Sequence, residues 1–314
     1  MKSYLIRRIL QFPLILAIIY VVTFCMVWVV PGDPFQNSDR AMDPETVQRL
    51  KEEYRMDKWY NFLTYYPYRL VVHQDFGPSL RNKEFSVNEL IRERWPVSLS
   101  LGFIALVIAI VIGMTVGTLS AVYRDGLLDW LGMSLTMIGI SVPAFVTAAV
   151  LLLVFVAYLD WFPAGSTAVG AGLTFSQLFL PSIALSLAPM AYIVRLQRVS
   201  MLDVLGADFV RTARAKGLAK PWVIIKHCLR NAFLPVLSYL GPAAAITLTG
   251  SFVVEQVFAL NGLGKTFVDS VTNRDQTMIL ALVMIYSGLV LFLNLLVDLL
   301  YGVIDPRIDV AEVK

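Results

Sequence analysis

The feature that most constrains this chain is a set of six long apolar stretches, at 9–30, 97–122, 130–159, 178–194, 232–254 and 278–297. A helix needs about 20 apolar residues to cross the hydrocarbon of a bilayer. In that solvent only helices and closed barrels satisfy their own backbone groups, and stretches this long read as helices. Charged residues make up 16% of the 314, against roughly 25% in soluble domains. The expected fold is therefore an all-α integral membrane protein with six transmembrane helices. The third stretch is long enough to need tilt or projection past the membrane, and the short fourth would borrow Phe175 and Leu196. The first follows Lys2, Arg7 and Arg8 as a signal peptide would. It exceeds the apolar core of such a peptide, about 7–15 residues, and runs through Trp28 into Pro31-Gly32-Asp33-Pro34, so it reads as a retained span.

Lys and Arg in short loops set orientation. With the N-terminus in the cytoplasm, fourteen basic residues fall inside, from Lys2, Arg7, Arg8 and Arg124 through the 195–230 loop to Arg307 and Lys314. The short outside loops hold only Lys265 and Arg274. Both termini are expected to be cytoplasmic. Segment 31–96 is long, with ten basic and eleven acidic residues, and is expected to be a small outside domain. Within it, Asp43-Pro44 resembles a cap followed by a first-turn proline. The aromatic run 59–68 would lie on the membrane surface or pack on the spans. The expected division is thus 1–30, tail and first span; 31–96, extracytoplasmic domain; 97–303, a five-helix core with a cytoplasmic loop at 200–231; and 304–314, a cytoplasmic tail.

Several chemistries are excluded. Net charge is +3, too small to point to nucleic acid. Cys25 and Cys228 fall in the bilayer and the cytoplasm, and His73 and His227 on opposite sides, so neither a disulfide nor a metal site is expected. No cofactor is implied. The string Ala259-Leu260-Asn261-Gly262-Leu263-Gly264-Lys265-Thr266 approaches a phosphate-binding loop, but position 259 is Ala, a span precedes it, and it faces outside. A P-loop needs the first glycine and a preceding strand, so these glycines read as a turn.

The 200–231 loop is the informative one. Residues 208–216 suit a helix, Gly217 suits the left-handed position that ends one, and Lys220-Pro221 permits a second start through Trp222, Ile225 and Leu229. Its sequence, Arg211-Thr212-Ala213-Arg214-Ala215-Lys216-Gly217-Leu218, followed by His227 and Leu234-Pro235-Val236-Leu237, resembles the EAA loop of bacterial ABC importer permeases. Further stretches are similar to the oligopeptide and dipeptide branch: Pro31-Gly32-Asp33-Pro34-Phe35, Asp75-Phe76-Gly77-Pro78-Ser79, Ser86-Val87-Asn88, Ser238-Tyr239-Leu240-Gly241-Pro242 and Val303-Ile304-Asp305-Pro306-Arg307. The resemblance covers nearly the whole chain. It implies a type I importer permease fold in which 211–217 forms a coupling helix turning at Gly217. Arg211, Arg214 and Lys216 would meet a separate ATPase. Implied partners are a paralogous permease, two cytoplasmic ATPase subunits and an extracytoplasmic peptide-binding protein. The wider family's acidic first position is Arg211 here, and Thr212 replaces a small residue, as in the peptide branch.

Charges inside spans need partners. Glu255 lies one turn from Ser251, and Ser287, Asn294 and Asp298 share one helical stripe. These groups either line a pathway or partner contact, or pair within the chain. Pro143 can kink the third span and expose a pathway wall, while Gly113 and Gly117 suit helix packing. The competing reading is a self-contained secondary transporter or channel. It would need an ion-coupling site, for which Glu255 and Asp298 are the available carboxylates. No set of groups for an intramembrane enzyme emerges.

Overall fold

Apolar runs become helices throughout the computed structural model, which describes residues 2–30, 43–53, 55–80, 85–163, 165 and 174–304. The Pro31–Phe35 motif, parts of the expected outside domain, and the tail with Arg307 and Lys314 lie outside the described residues. The membrane-length helices are α1 (Lys2–Val29), α4 (Val87–Val122), α7 (Phe175–Leu205) and α14 (Gln276–Ile304). Two more spans are interrupted: α5 (Leu127–Ser141) with α6 (Ala144–Leu151), and α11 (Leu234–Leu248) with α12 (Phe252–Val257). Among the described residues five helical segments, with Leu234–Val257 counted as one, are long and apolar enough to cross a membrane, and six if the bent α5–α6 pair also counts as one.

The third span departs from a single tilted helix at Pro143, the proline read from the sequence as able to kink it. It is bent by 104°, because Pro143 lacks an N–H and forces the preceding residue out of the helical region. Val142 accordingly sits at φ −89°, ψ 120°. The fourth span departs in the other direction: α7 runs 31 residues, straight through Pro181 and Pro189. Past 194 its buried Gln197 and half-buried Arg198 are partnered, as shown below, so the helix continues there. The fifth stops at Leu248, turns through Gly250 at φ +87°, and restarts with the Ser251 side chain accepting from the Val254 N–H at 3.4 Å.

Helix α7 is the axis of the bundle, packed along α4 and flanked by α5, α6 and α11. Close approach is possible because α4 presents glycine. A Cβ on Gly113 would lie 2.8 Å from Ile193, and one on Gly117 2.6 Å from the Val194 carbonyl oxygen. Helix α1 sits at the edge against α14, joined by an Arg8–Asp298 ion pair of 2.5 Å. The remaining face of α1 carries Leu10, Leu14, Ile18, Val22 and Met26, all exposed, as lipid contact requires.

Two short helices, α2 (Pro44–Glu53) and α3 (Trp59–Tyr68), follow α1. α3 buries Phe62 and Tyr66 against Tyr20 and Phe24 of α1, with Tyr20 and Tyr66 stacked at 6.0 Å. Trp59, Tyr60 and Tyr68 face outward, so the aromatic run packs on a span by one face only. The Asp75–Ser79 motif is a hydrogen-bonded strap. Asn88 accepts from the Phe76 N–H at 2.8 Å, and the Ser79 hydroxyl donates to Asp275 at 2.7 Å. Ser86 and Glu89 form the capping box that starts α4.

The glycine turn before α13 (Leu263–Thr272) holds a carboxylate of the chain itself. Glu255, fully buried, accepts from the Lys265 N–H and from the Ser98 hydroxyl, each at 2.8 Å; Ser98 in turn accepts from the Leu263 N–H at 2.8 Å. A Cβ on Gly262 would lie 2.5 Å from both this carboxylate and Ser98. Gly262→Ala should therefore destabilise the protein by about 1–3 kcal/mol, whereas Gly288→Ala, with nothing within 4 Å, should be neutral or better. Thermal unfolding of both variants in detergent checks this.

Candidate coupling surface

The projecting segment is built on a short amphipathic helix. In α8 (Asp208–Ala215), Val210 and Ala213 are buried, joining Ala121 of α4, Met201 of α7, Val223, Cys228 and Ala232 in one apolar cluster. Arg211, Thr212, Arg214, Ala215, Lys216, Gly217 and Leu218 all face outward. Asp208 sits in the first turn, 3.5 Å from Arg211, and Arg214 in the last, an arrangement that complements the helix dipole.

The helix ends in a Schellman closure. Gly217 adopts φ +78° and donates its N–H to the Arg214 carbonyl at 2.9 Å, while the Leu218 N–H reaches Ala213 at 3.4 Å. These two bonds satisfy carbonyls that a helix end leaves open. A Cβ on Gly217 would meet nothing within 4 Å, so the glycine is required by its backbone angle alone. The second helical start is also present: α9 (Lys220–Val223) begins with Lys220-Pro221, widens over Ile224–Cys228, and continues as α10 (Leu229–Ala232). Lys226 lies 5.1 Å from the Trp222 ring and Lys220 5.8 Å from that of Tyr123. Burial raises the Cys228 thiol above its ordinary range, although the Arg214 charge opposes the shift.

A buried ion pair holds the base of this projection. Asp129 of α5 receives both ends of the Arg198 fork, at 2.6 and 2.7 Å, and also accepts from the Asp125 N–H at 3.0 Å. Immediately before Arg198 on α7, Gln197 donates to Thr118 of α4 at 3.1 Å. Sequence reasoning counted Arg198 merely as an inside charge and overlooked Asp129. The signal was present in an acid placed within the apolar Leu127–Ser141 helix.

The eight loop residues thus sit together, seven exposed and Ala213 beneath them. The other four candidates are not gathered on one surface. Pro143 caps α6 at the break in the third span. Glu255 is enclosed near α13, at the end of the bundle opposite α8. Asn294 approaches α11, its oxygen 2.9 Å from where a Gly241 Cβ would be. Asp298 pairs with Arg8 at the α8 end.

A bundle of membrane-length helices with a capped basic projection defines a multi-span helical membrane protein. Residues 109–310 match the family of binding-protein-dependent transport system inner membrane components, and residues 1–102 match the N-terminal component of the same description. The chain belongs to this family, in the branch of the DppB and OppB permeases. It is 40% identical to the dipeptide transport system permease protein DppB of Bacillus subtilis over 99% of both chains. It is 40% identical to the oligopeptide transport system permease protein OppB of Haemophilus influenzae, over 98% of this chain and 99% of that one. In fold it is similar to a chain of the inward-facing MetNI methionine ABC transporter, at TM-score 0.53 and 17% identity, covering 69% of this chain and 96% of that one. The fold expected from the resemblance is that of a type I importer permease, and it is the fold found.

Asp129→Ala should leave the Arg198 guanidinium without its carboxylate and lower stability by about 2–3 kcal/mol. The double variant Asp129→Leu/Arg198→Met should recover most of that loss. Thermal midpoints of the three variants test the coupling.

Proposed function

We propose that this chain is the membrane-spanning subunit of an ATP-driven peptide importer. It would form a pathway for oligopeptides or dipeptides together with a paralogous permease. Two cytoplasmic ATPase subunits would supply the energy, and an extracytoplasmic binding protein would deliver the substrate. The observation that carries this reading is the full-length 40% identity to dipeptide and oligopeptide permeases. Both termini and the α8 projection would lie in the cytoplasm, in keeping with the distribution of Lys and Arg, and segment 31–96 outside. The chain itself would hydrolyse nothing.

The geometry of the projection supports its assignment as the docking element. A helix whose inner face is fixed in an apolar cluster and whose end is closed by two hydrogen bonds moves as one body with α4 and α7. Its outer face offers Arg211, Arg214 and Lys216 to acidic or carbonyl groups of an ATPase cleft. Closure of the ATPase pair would then displace the ends of two central helices. The rival secondary carrier is disfavoured because both carboxylates it would use are engaged, Glu255 with Ser98 and backbone N–H groups, and Asp298 with Arg8.

Reconstituted with its permease, ATPase and binding-protein partners, the chain should support peptide accumulation that requires ATP. Peptide flux through the chain alone, driven by an ion gradient, would overturn the assignment. Gly217→Val places a β-branched residue at φ +78°, at a cost of about 1–3 kcal/mol, and should abolish most uptake while membrane insertion persists. Gly217→Asn, which tolerates the left-handed region, should retain most of it. Equal uptake by both variants would remove the role given to this turn.

A further inference from the structure

A slot of about 350 Å³ opens between α1, α13 and α14 at the end of the bundle opposite α8. Its walls are Met26 and Val27 of α1, Phe267 and Val271 of α13, and Ile279 and Val283 of α14. Arg274 is the charged residue on its lining. It occupies the turn between α13 and α14, is half-buried, and holds a left-handed φ of +58°. Among the described residues no hydrogen bond or ion pair engages its guanidinium. The neighbouring acid, Asp275, is already committed to Ser79 and Thr277. Met26, at 68% exposure, marks the side of the slot that opens outward from the bundle.

The slot's position on the helices gives its depth. Arg274 precedes α14, and Asp298 lies near the other end of that helix. At 1.5 Å per residue the axial separation is about 36 Å, slightly more than the hydrocarbon thickness of about 30 Å. Arg274 therefore lies at headgroup level, with an apolar slot running beneath it toward the membrane interior. A guanidinium presents a planar fork of donors matched to phosphate oxygens, and the volume falls within the roughly 300–1,000 Å³ of ordinary ligand sites.

From this juxtaposition of an unengaged arginine and an apolar slot at headgroup depth, we infer that α1, α13 and α14 form a binding site for an anionic glycerophospholipid. Its phosphate sits on Arg274 and one acyl chain lies between Val27 and Ile279. A bare apolar groove would accept any lipid. The positive charge, with which no acid among the described residues forms an ion pair, selects a headgroup of net negative charge over a zwitterionic one. The bound lipid would join α1 to α13 and α14 at the end where no Arg8–Asp298 pair holds them.

The test uses the full chain, purified with the subunits that accompany it from membranes of mixed phosphatidylglycerol and phosphatidylethanolamine. Retained lipids are counted by native mass spectrometry. The wild-type protein should retain phosphatidylglycerol preferentially. Arg274→Gln should lower that retention roughly fivefold, as expected for loss of one cation near a charged headgroup. Ile279→Trp, which fills the slot, should abolish it, and Lys265→Gln, outside the slot, should leave it unchanged. Equal retention of the two lipids by the wild type, unchanged retention in Arg274→Gln, or an equal loss in Lys265→Gln would each overturn the site.

Discussion

Inside a bilayer no water is present to satisfy an interrupted backbone, and that constraint organises the rest of this molecule. The interruption of the fifth span occurs where the chain supplies a substitute partner. The break at Gly250 is followed by the Ser251 cap, and the start of α13 is met by the Glu255 carboxylate, which does there what phosphate does in a nucleotide-binding loop. The glycines at 262 and 264 resemble such a loop for a physical reason: they expose N–H groups to an anion. Here the anion is covalently part of the chain, so the site is filled from within.

Charges obey the same rule. Arg198 and Asp129 tie α5 to α7, Arg8 and Asp298 tie α1 to α14, and Glu255 ties α12 to α4 and α13. None of these pairs stands alone on an apolar face, and each joins elements distant in sequence. Partly buried pairs of this kind contribute little net stability against apolar replacements. What they contribute is register, by penalising any sliding of one helix past another.

Much of this was legible in the sequence. Apolar runs of bilayer length gave the spans, and Gly217 after a basic amphipathic segment gave the turn and the helical hairpin around it. The order of the loop was readable because its signals are local: a cap, a left-handed glycine and a first-turn proline. Helix lengths were less readable. Hydropathy ended the fourth span near Val194, but α7 continues because Gln197 and Arg198 find Thr118 and Asp129, contacts that no local window contains. The third span differs oppositely: its apolar run is unbroken in composition, and it is Pro143, read as able to kink it, that breaks its geometry. Glu255 illustrates the deepest limit. The sequence placed it one turn from Ser251, yet its partners Ser98 and Lys265 come from separate elements.

The division of α8 into an anchored inner face and an open outer one bears on how such a subunit can change over evolutionary time. Val210, Ala213 and the angle at Gly217 determine whether the projection exists at all, and they tolerate little. Arg211, Thr212, Arg214 and Lys216 touch almost nothing within the chain, so they can drift without unfolding it. Gene duplication could then give rise to permeases that recruit different motors through a handful of surface exchanges. Mispairing between coexisting transporters would be avoided by the same few positions, leaving the membrane-embedded machinery untouched.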